Sequence, residues 1–299
     1  MTNIGFIGLG HMGHPMVLNL IKAGFHVSVY DVMPAAREHL RSSGAVVCDS
    51  IKEIYTSAEV VISSVQTGLQ VKEICLGPDG LFQRARPGLL FIDCSSIDIS
   101  VTHQLHQDAA ARGIAMLDAP VSGGVAAATA GTLTIMAGGE EAALQRALPI
   151  LNALGKKVIH AGVGGSGQAA KICNNIILAI SMIGVCEAFS LAKKLELDPK
   201  KFFEISSHAS GQCWSMTSYC PEPGLVEQAP SNRDYAPGFM AKMMLKDLRL
   251  GQHAAEFANA SIPLGAQAAE LYELFVNLGN GEKDFSAIMQ MIEGRVAKR

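Results

Sequence analysis

IGFIGLGHMG, Ile4–Gly13, is the stretch that decides how the rest of the chain is read. Ile4–Ile7 is a short apolar run of strand type. It breaks into glycines at positions 8, 10 and 13, and Gly13–Ala23 behind them is amphipathic. Strand, glycine turn and helix start in that order are the context in which a GxGxxG pattern means more than a flexible turn. The glycines have separate tasks: Gly8 permits a tight turn, Gly10 lets backbone approach a pyrophosphate, and Gly13 allows close packing of helix on strand. Leu9, His11 and Met12 complete the turn, and the free amides of the helix start suit phosphate charge. Asp31 ends the next apolar run, 18 residues after Gly13. A carboxylate there accepts hydrogen bonds from a ribose and repels a 2′-phosphate, so NAD is expected rather than NADP.

From this unit a rhythm extends outward. Val27–Tyr30, Val60–Ser64, Leu89–Ile92 and Met116–Asp118 read as further strands, with Leu133–Ala137 and Lys157–His160 as extensions. Helical stretches alternate with them at Ala35–Ser42, Val71–Leu76, Ser100–Ala111 and Glu140–Leu154. Regular alternation with apolar strands predicts an α/β, Rossmann-type doubly wound, mainly parallel sheet covered on both faces. The rhythm stops near Gly162. A long apolar helix over Ile176–Ala192 follows, then helix starts capped by Asp198 and Asp284. The expected division is therefore a dinucleotide-binding domain at 1–162 and an all-helical domain at 163–299. A loop of roughly twenty residues, Cys213–Tyr235, is long enough to be read as functional.

At 299 residues, two domains are expected. Charged residues make up 17% of the chain and its net charge is −3 with no basic run, which argues against nucleic acid or an anionic membrane as partner. Seven scattered cysteines without a CxxC pair fit reduced thiols and a cytoplasmic setting; no metal is expected. The apolar helix is short for a membrane span and contains Ser181, Glu187 and Ser190, so it reads as a helix buried between domains or subunits.

Oxidising a hydroxyl by hydride transfer needs a proton acceptor, a substrate holder and a dry pocket beside the nicotinamide. In DAPVSGG, Asp118–Gly124, the Ser122 hydroxyl and the unobstructed amides of Gly123 and Gly124 make a donor set suited to a carboxylate. Lys171 stands early in the long helix with Asn174 and Asn175 at i+3 and i+4. A lysine there either snorkels to solvent or faces a cleft and works. In a cleft it exchanges a proton at a lowered pKa or stabilises an alkoxide as a cation, and both roles stay open. Ser64, Val65 and Gln66 follow a strand and are placed to line the nicotinamide half. Ser95 and Ser96 either offer hydroxyls near the ring or cap the next helix.

Five segments, FIGLGHMG at Phe6–Gly13, GPDGL at Gly77–Leu81, IDCSSID at Ile92–Asp98, DAPVSGGV at Asp118–Val125 and GQAAKICNN at Gly167–Asn175, carry a resemblance to the 3-hydroxyacid dehydrogenase family. SGQCWS at Ser210–Ser215, the proline-bearing loop after it and MLKDLRL at Met244–Leu250 extend the resemblance nearly end to end, and the Cys213–Ser215 loop with Pro221–Gly224 is similar to the hydroxyisobutyrate enzymes within the family. The resemblance implies Lys171 as catalytic residue and Asn175 as substrate orienter, with Ser122 and Gly123 on the carboxylate. It implies Trp214, Phe239 and Asp247 near the substrate, Lys246 and Ser96 near the cofactor, and a homodimer or homotetramer. Read without it, Lys246 and Asp247 are an exposed ion pair. The expected reaction is NAD-dependent oxidation of 3-hydroxyisobutyrate to methylmalonate semialdehyde, a step of valine breakdown. A reductase of tartronate, succinic or glyoxylate-type aldehydes is the alternative on the same scaffold, and a silent dinucleotide-binding module is the non-enzyme one.

Overall fold

Apolar β-branched runs bounded by glycine, aspartate or serine set the strands of the first half. The computed structural model describes residues 2–295. The strands are β1 (Asn3–Ile7), β2 (His26–Tyr30), β3 (Val46–Val47), β4 (Val60–Ser63), β5 (Leu90–Asp93), β6 (Ala115–Asp118), β7 (Val121–Ser122), β8 (Leu133–Gly139) and β9 (Gly155–Gly162). They form one sheet in the order β3-β2-β1-β4-β5-β6-β8-β7, with β9 also paired to β8. The first six pair in parallel, whereas β8 runs antiparallel to β6 and β7. The central strands β4 and β5 are buried along their whole length, as strands covered on both faces are, whereas β2 and the edge strand β3 are only partly covered.

Helices Gly13–Lys22 and Glu141–Leu154 cover one face, burying Met16, Leu20, Leu144 and Ile150 against Phe6, Val29 and Ile62. Helices Ile51–Ser57, Gly68–Leu76 and Ile99–Ala110 cover the other, packing Ile54, Val71 and Leu105 near Val61 and Phe91. The two-residue strands β3 and β7, and the helices Ile51–Ser57, Leu81–Arg84 and Gly124–Ala130, were not expected from the sequence. They are too short or too weakly patterned to stand out from the loops around them.

The chain divides into two compact units, Met1–Lys171 and Ile172–Arg299. One long helix, Ser166–Lys194, starts in the first and continues into the second; it begins ten residues earlier than its apolar run. By length and composition this helix could cross a membrane, yet its Ala179, Met182, Cys186 and Phe189 are fully buried in the core of the second unit. That core also takes Met244 and Leu248 from helix Ala241–Ala258, Tyr272 and Phe275 from helix Pro263–Phe275, and Phe285 and Ile288 near the end of the chain. Asp198 caps helix Pro199–Ser206 through the amides of Lys200 and Lys201. The Cys213–Tyr235 loop holds a single helical turn, Trp214–Thr217, and a 3-10 turn, Pro230–Arg233.

Candidate active site

In the first unit, β1, β2, β4, β5 and β6 end level with one another: Ile7 pairs with Tyr30 and with Ser63, Ser63 with Asp93, and Asp93 with Asp118. In open α/β sheets, ligands bind outside these carboxyl ends. The geometry separates the three glycines sharply. Gly8 has φ +95°, and a Cβ on it would lie 2.3 Å from the Ser64 carbonyl oxygen. A Cβ on Gly13 would lie 1.9 Å from the Gly8 carbonyl oxygen, so helix and turn touch through it. Over Gly10 nothing stands within 4 Å, which leaves a cradle open at the helix start where a dinucleotide phosphate fits. His11 is exposed, and Met12 is half-buried against the core.

Asp31 braces this turn. Its Oδ2 accepts the Leu9 amide at 2.7 Å and its Oδ1 the Met33 amide at 2.8 Å. The loop after β4 is held in a similar way: Ser95 Oγ accepts the Val65 amide at 2.9 Å, and Gln70 Oε1 accepts the Gln66 amide at 2.9 Å. Ser64, Val65, Gln66 and Ser96 thus sit on neighbouring strand ends. Helix capping, the alternative for Ser95 and Ser96, falls to Asp98, whose side chain accepts the Ser100 amide. Below them Asp93 is fully buried; Oδ1 accepts from Ser63 Oγ at 2.8 Å and from the Ser95 amide at 3.1 Å. Its Oδ2 has no hydrogen-bond partner among the described residues. Burial chiefly, and the nearby Asp118 charge to a smaller extent, push its carboxyl up to about 6 against the pull of those hydrogen bonds.

On the far side of the same sheet end, Ser122 closes β7 and Gly124 opens helix Gly124–Ala130. Gly123 between them has φ +131°, and a Cβ there would meet Ala127 Cβ at 2.5 Å. No side chain but hydrogen is tolerated, and the backbone amides of this corner stay uncovered by a Cβ.

The second unit brings together another set. Asn175 is buried; its Nδ2 donates to Asp247 Oδ2 at 2.6 Å, and its Oδ1 accepts from Asn174 Nδ2 at 3.1 Å. Both ends of its amide are therefore fixed in orientation. Lys246 Nζ lies 3.1 Å from Asp247 Oδ1 in an ion pair. The sequence reading of an exposed pair is corrected for Asp247, which is only 5% exposed. Lys171, half-buried and the last residue of the first unit, stands one turn before Asn175 on the long helix. Trp214 stacks on Tyr219 with ring centroids 4.7 Å apart, Tyr219 stacks on Phe285 at 5.4 Å, and Phe239 meets Phe285 edge-on at 5.7 Å. Tyr219, Phe285 and Asp284 were not singled out for this array. Asp284 Oδ2 accepts from Tyr219 Oη at 2.8 Å and from the Gly238 and Phe239 amides, so it holds Trp214 and Phe239 to one frame. Asp284 also accepts the Ser286 amide, at the head of a 3-10 turn, Phe285–Ala287, rather than of a regular helix. Among the described residues no group of three or more His, Cys, Asp or Glu side chains could hold a metal ion.

Two family models match the chain in succession. Residues 3–162 match the model of the NAD-binding domain of 6-phosphogluconate dehydrogenase, and residues 165–292 match that described as NAD-binding of NADP-dependent 3-hydroxyisobutyrate dehydrogenase. The chain is 44% identical to the NAD-dependent L-serine dehydrogenase of Pseudomonas aeruginosa, covering 98% of both chains. It is 43% identical to the 3-hydroxyisobutyrate dehydrogenase of the same organism, covering 99% of this chain and 100% of that one. The solved structure of Mycobacterium tuberculosis 3-hydroxyisobutyrate dehydrogenase with L-serine superposes with a TM-score of 0.92 at 42% identity, covering 98% and 99% of the two chains. An NAD-binding Rossmann-type domain, an open cradle at Gly10 and relatives matched along their whole length lead to one assignment: the chain is an oxidoreductase of the 3-hydroxyacid dehydrogenase family, close to its 3-hydroxyisobutyrate dehydrogenases.

Proposed function

We propose that the chain oxidises 3-hydroxyisobutyrate to methylmalonate semialdehyde with NAD, the reaction it would contribute to valine breakdown in the cytoplasm. The observation that carries the reading is the long helix, which presents Lys171 and, one turn on, an Asn175 locked in orientation by Asp247. Bound NAD supplies the acceptor for the hydride that leaves the carbinol carbon. The Gly8–Gly13 turn, with Leu9 to Met12 between its glycines, takes the pyrophosphate. Asp31 takes the adenosine ribose, and Ser64, Val65, Gln66, Ser96 and Lys246 take the nicotinamide half. Ser122, Gly123 and Gly124 hold the carboxylate. Lys171 takes the hydroxyl proton while Asn174 and Asn175 orient the reacting oxygen. Trp214 and Phe239 meet the substituent on C2, and Asp247 keeps Asn175 in place.

The stacked Trp214–Tyr219–Phe285–Phe239 array favours an apolar C2 substituent such as the methyl of hydroxyisobutyrate. L-serine, with an ammonium in that place, is the second reading. It is favoured by the serine dehydrogenase relative, and aromatic faces also attract cations. Initial rates of NADH formation from 3-hydroxyisobutyrate, L-serine, 3-hydroxypropionate and glycerate test both. The expected result is the highest kcat/KM with 3-hydroxyisobutyrate and none in Lys171→Ala, which still binds NADH. A higher value with L-serine moves the substrate and keeps the mechanism; turnover by Lys171→Ala refutes the role of the lysine.

A further inference from the structure

The long helix is anchored at its start by more than capping requires. Asp118, fully buried at the end of β6, accepts the Gly165 amide through Oδ1 at 2.8 Å and the Gln168 amide through Oδ2 at 2.9 Å. His106 Nε2 lies 2.8 Å from the same Oδ1. Glycine makes the room: a Cβ on Gly138 would lie 2.7 Å from Asp118 Oδ1, and one on Gly167 would lie 2.8 Å from Oδ2. These contacts fix where the helix begins. A second set fixes how it is turned about its axis. Gln168 is fully buried, its Nε2 donates to the Ser95 carbonyl at 2.7 Å, and its Oε1 accepts the Ile97 amide at 3.2 Å. Both ends of one amide thus clamp the backbone on either side of Ser96. Capping explains Asp118 but not this clamp, which reaches 71 to 73 residues back along the chain. Helical spacing puts Gln168 and Lys171 on one face, at i and i+3.

We propose that Gln168 is a positioning residue for Lys171: clamped on Ser95 and Ile97, and set in height by Asp118, it fixes the lysine against the segment that carries Ser96. The inference rests on the reading of Lys171 as the catalytic residue. A helix rotated or shifted by about an ångström at Lys171 loses the near-attack geometry, and such misplacements cost on the order of a hundredfold in rate.

Gln168→Met keeps length and volume and removes both hydrogen bonds, and Asp118→Asn loosens the other anchor. Should Gln168→Met fail to fold, Gln168→Asn, too short to reach both groups, carries the same readouts. Amide hydrogen exchange over Ser166–Lys171 in the full-length protein reads the clamp without any turnover. It is expected to quicken about tenfold or more as the local opening becomes easier, and unchanged exchange overturns the clamp. In kinetics, kcat is expected to fall about 10- to 100-fold, with KM for NAD within about threefold and NADH still binding once per chain. A kcat within about threefold of the parent, or a loss of NADH sites in proportion to the loss of kcat, overturns the positioning role. Lys171→Ala is the separate control. Turnover in that variant would sink the reading of the lysine, while the exchange result would still decide the clamp.

Discussion

Gly10 and Gly13 lie three residues apart, yet alanine at the two positions should produce opposite defects. At Gly13 the new methyl would stand 1.9 Å from the Gly8 carbonyl oxygen and 3.1 Å from the Phe6 ring. Helix Gly13–Lys22 would have to withdraw from β1 by more than an ångström, opening the packing of Met16, Val17 and Leu20. Overpacking of that kind costs about 3 kcal/mol, and in a unit of this size that lowers Tm by roughly 6–12 °C. At Gly10 the methyl meets nothing within 4 Å, and the residue has no positive φ. Folding should be unharmed or stabilised by about 0.5 kcal/mol, because alanine restricts the unfolded chain. The penalty falls on the ligand. A phosphate pushed off the turn loses charge-assisted hydrogen bonds worth about 3 kcal/mol together, which is roughly a hundredfold in Kd. Thermal unfolding and NADH fluorescence titration of both variants make the comparison. Gly10→Ala that binds NADH within about threefold of the parent, or that melts as early as Gly13→Ala, would refute the assignment of the cradle.

Three further outcomes follow from side chains around the same sheet end and from the aromatic array. Asp31→Ser removes a charge facing any 2′-phosphate; with solvent screening the repulsion is worth about 2 kcal/mol, so the ratio of kcat/KM for NADP over NAD should rise roughly 30-fold. An unchanged ratio would show that Asp31 only braces Leu9. Asp93 has its folded pKa raised from 3.8 to about 6, so the folded state holds the extra proton and stability falls as pH rises through that window, by about 3 kcal/mol. Asp93→Asn should therefore gain on the parent between pH 4 and pH 8; an equal Tm difference at both ends contradicts the buried-carboxylate account. Trp214→Ala, with 45% of the residue exposed, should leave folding nearly unchanged and raise KM for 3-hydroxyisobutyrate about tenfold through lost apolar contact, with KM for NAD as in the parent.

Much of the fold was legible because its signals are local. The central strands β1, β4 and β5 are apolar runs ended by a polar or glycine residue, and the Gly8–Gly13 turn announces its own tasks through spacing alone. β7 was not legible, because two residues carry no period, and its partner β8 follows only after the helix Gly124–Ala130. Lys171, Asn174 and Asn175 could be found as polar residues in an apolar helix. Asn175's partner could not, since Asp247 is 72 residues away and reads as a surface charge until its burial is seen. The same holds for Gln168. It lies inside a quoted motif, but a glutamine near a helix start looks solvated, and only the long-range contacts to Ser95 and Ile97 show that both ends of its amide are spent inside the protein.

Three aspartates show why chemistry cannot be inferred from charge alone in this chain. Asp31 accepts the amides of Leu9 and Met33, Asp118 those of Gly165 and Gln168, and Asp284 those of Gly238, Phe239 and Ser286. Each carboxylate ties down a backbone segment that bears residues of the proposed site: the glycine turn, the start of the helix with Lys171, and the corner with Phe239. A carboxylate suits this task better than a neutral side chain, because it accepts several amides at once and its charge strengthens each bond. The cost of burying it is offset only when those donors are all in place. Losing one donor then leaves charge poorly satisfied and loosens the whole segment, so the damage appears as lost order in a loop some residues away. That is a reason to expect Asp118 and Asp284 variants to act on kcat and KM without either carboxylate touching substrate, whereas Asp31, with one oxygen on the Leu9 amide of the glycine turn, is also the residue proposed to take the adenosine ribose.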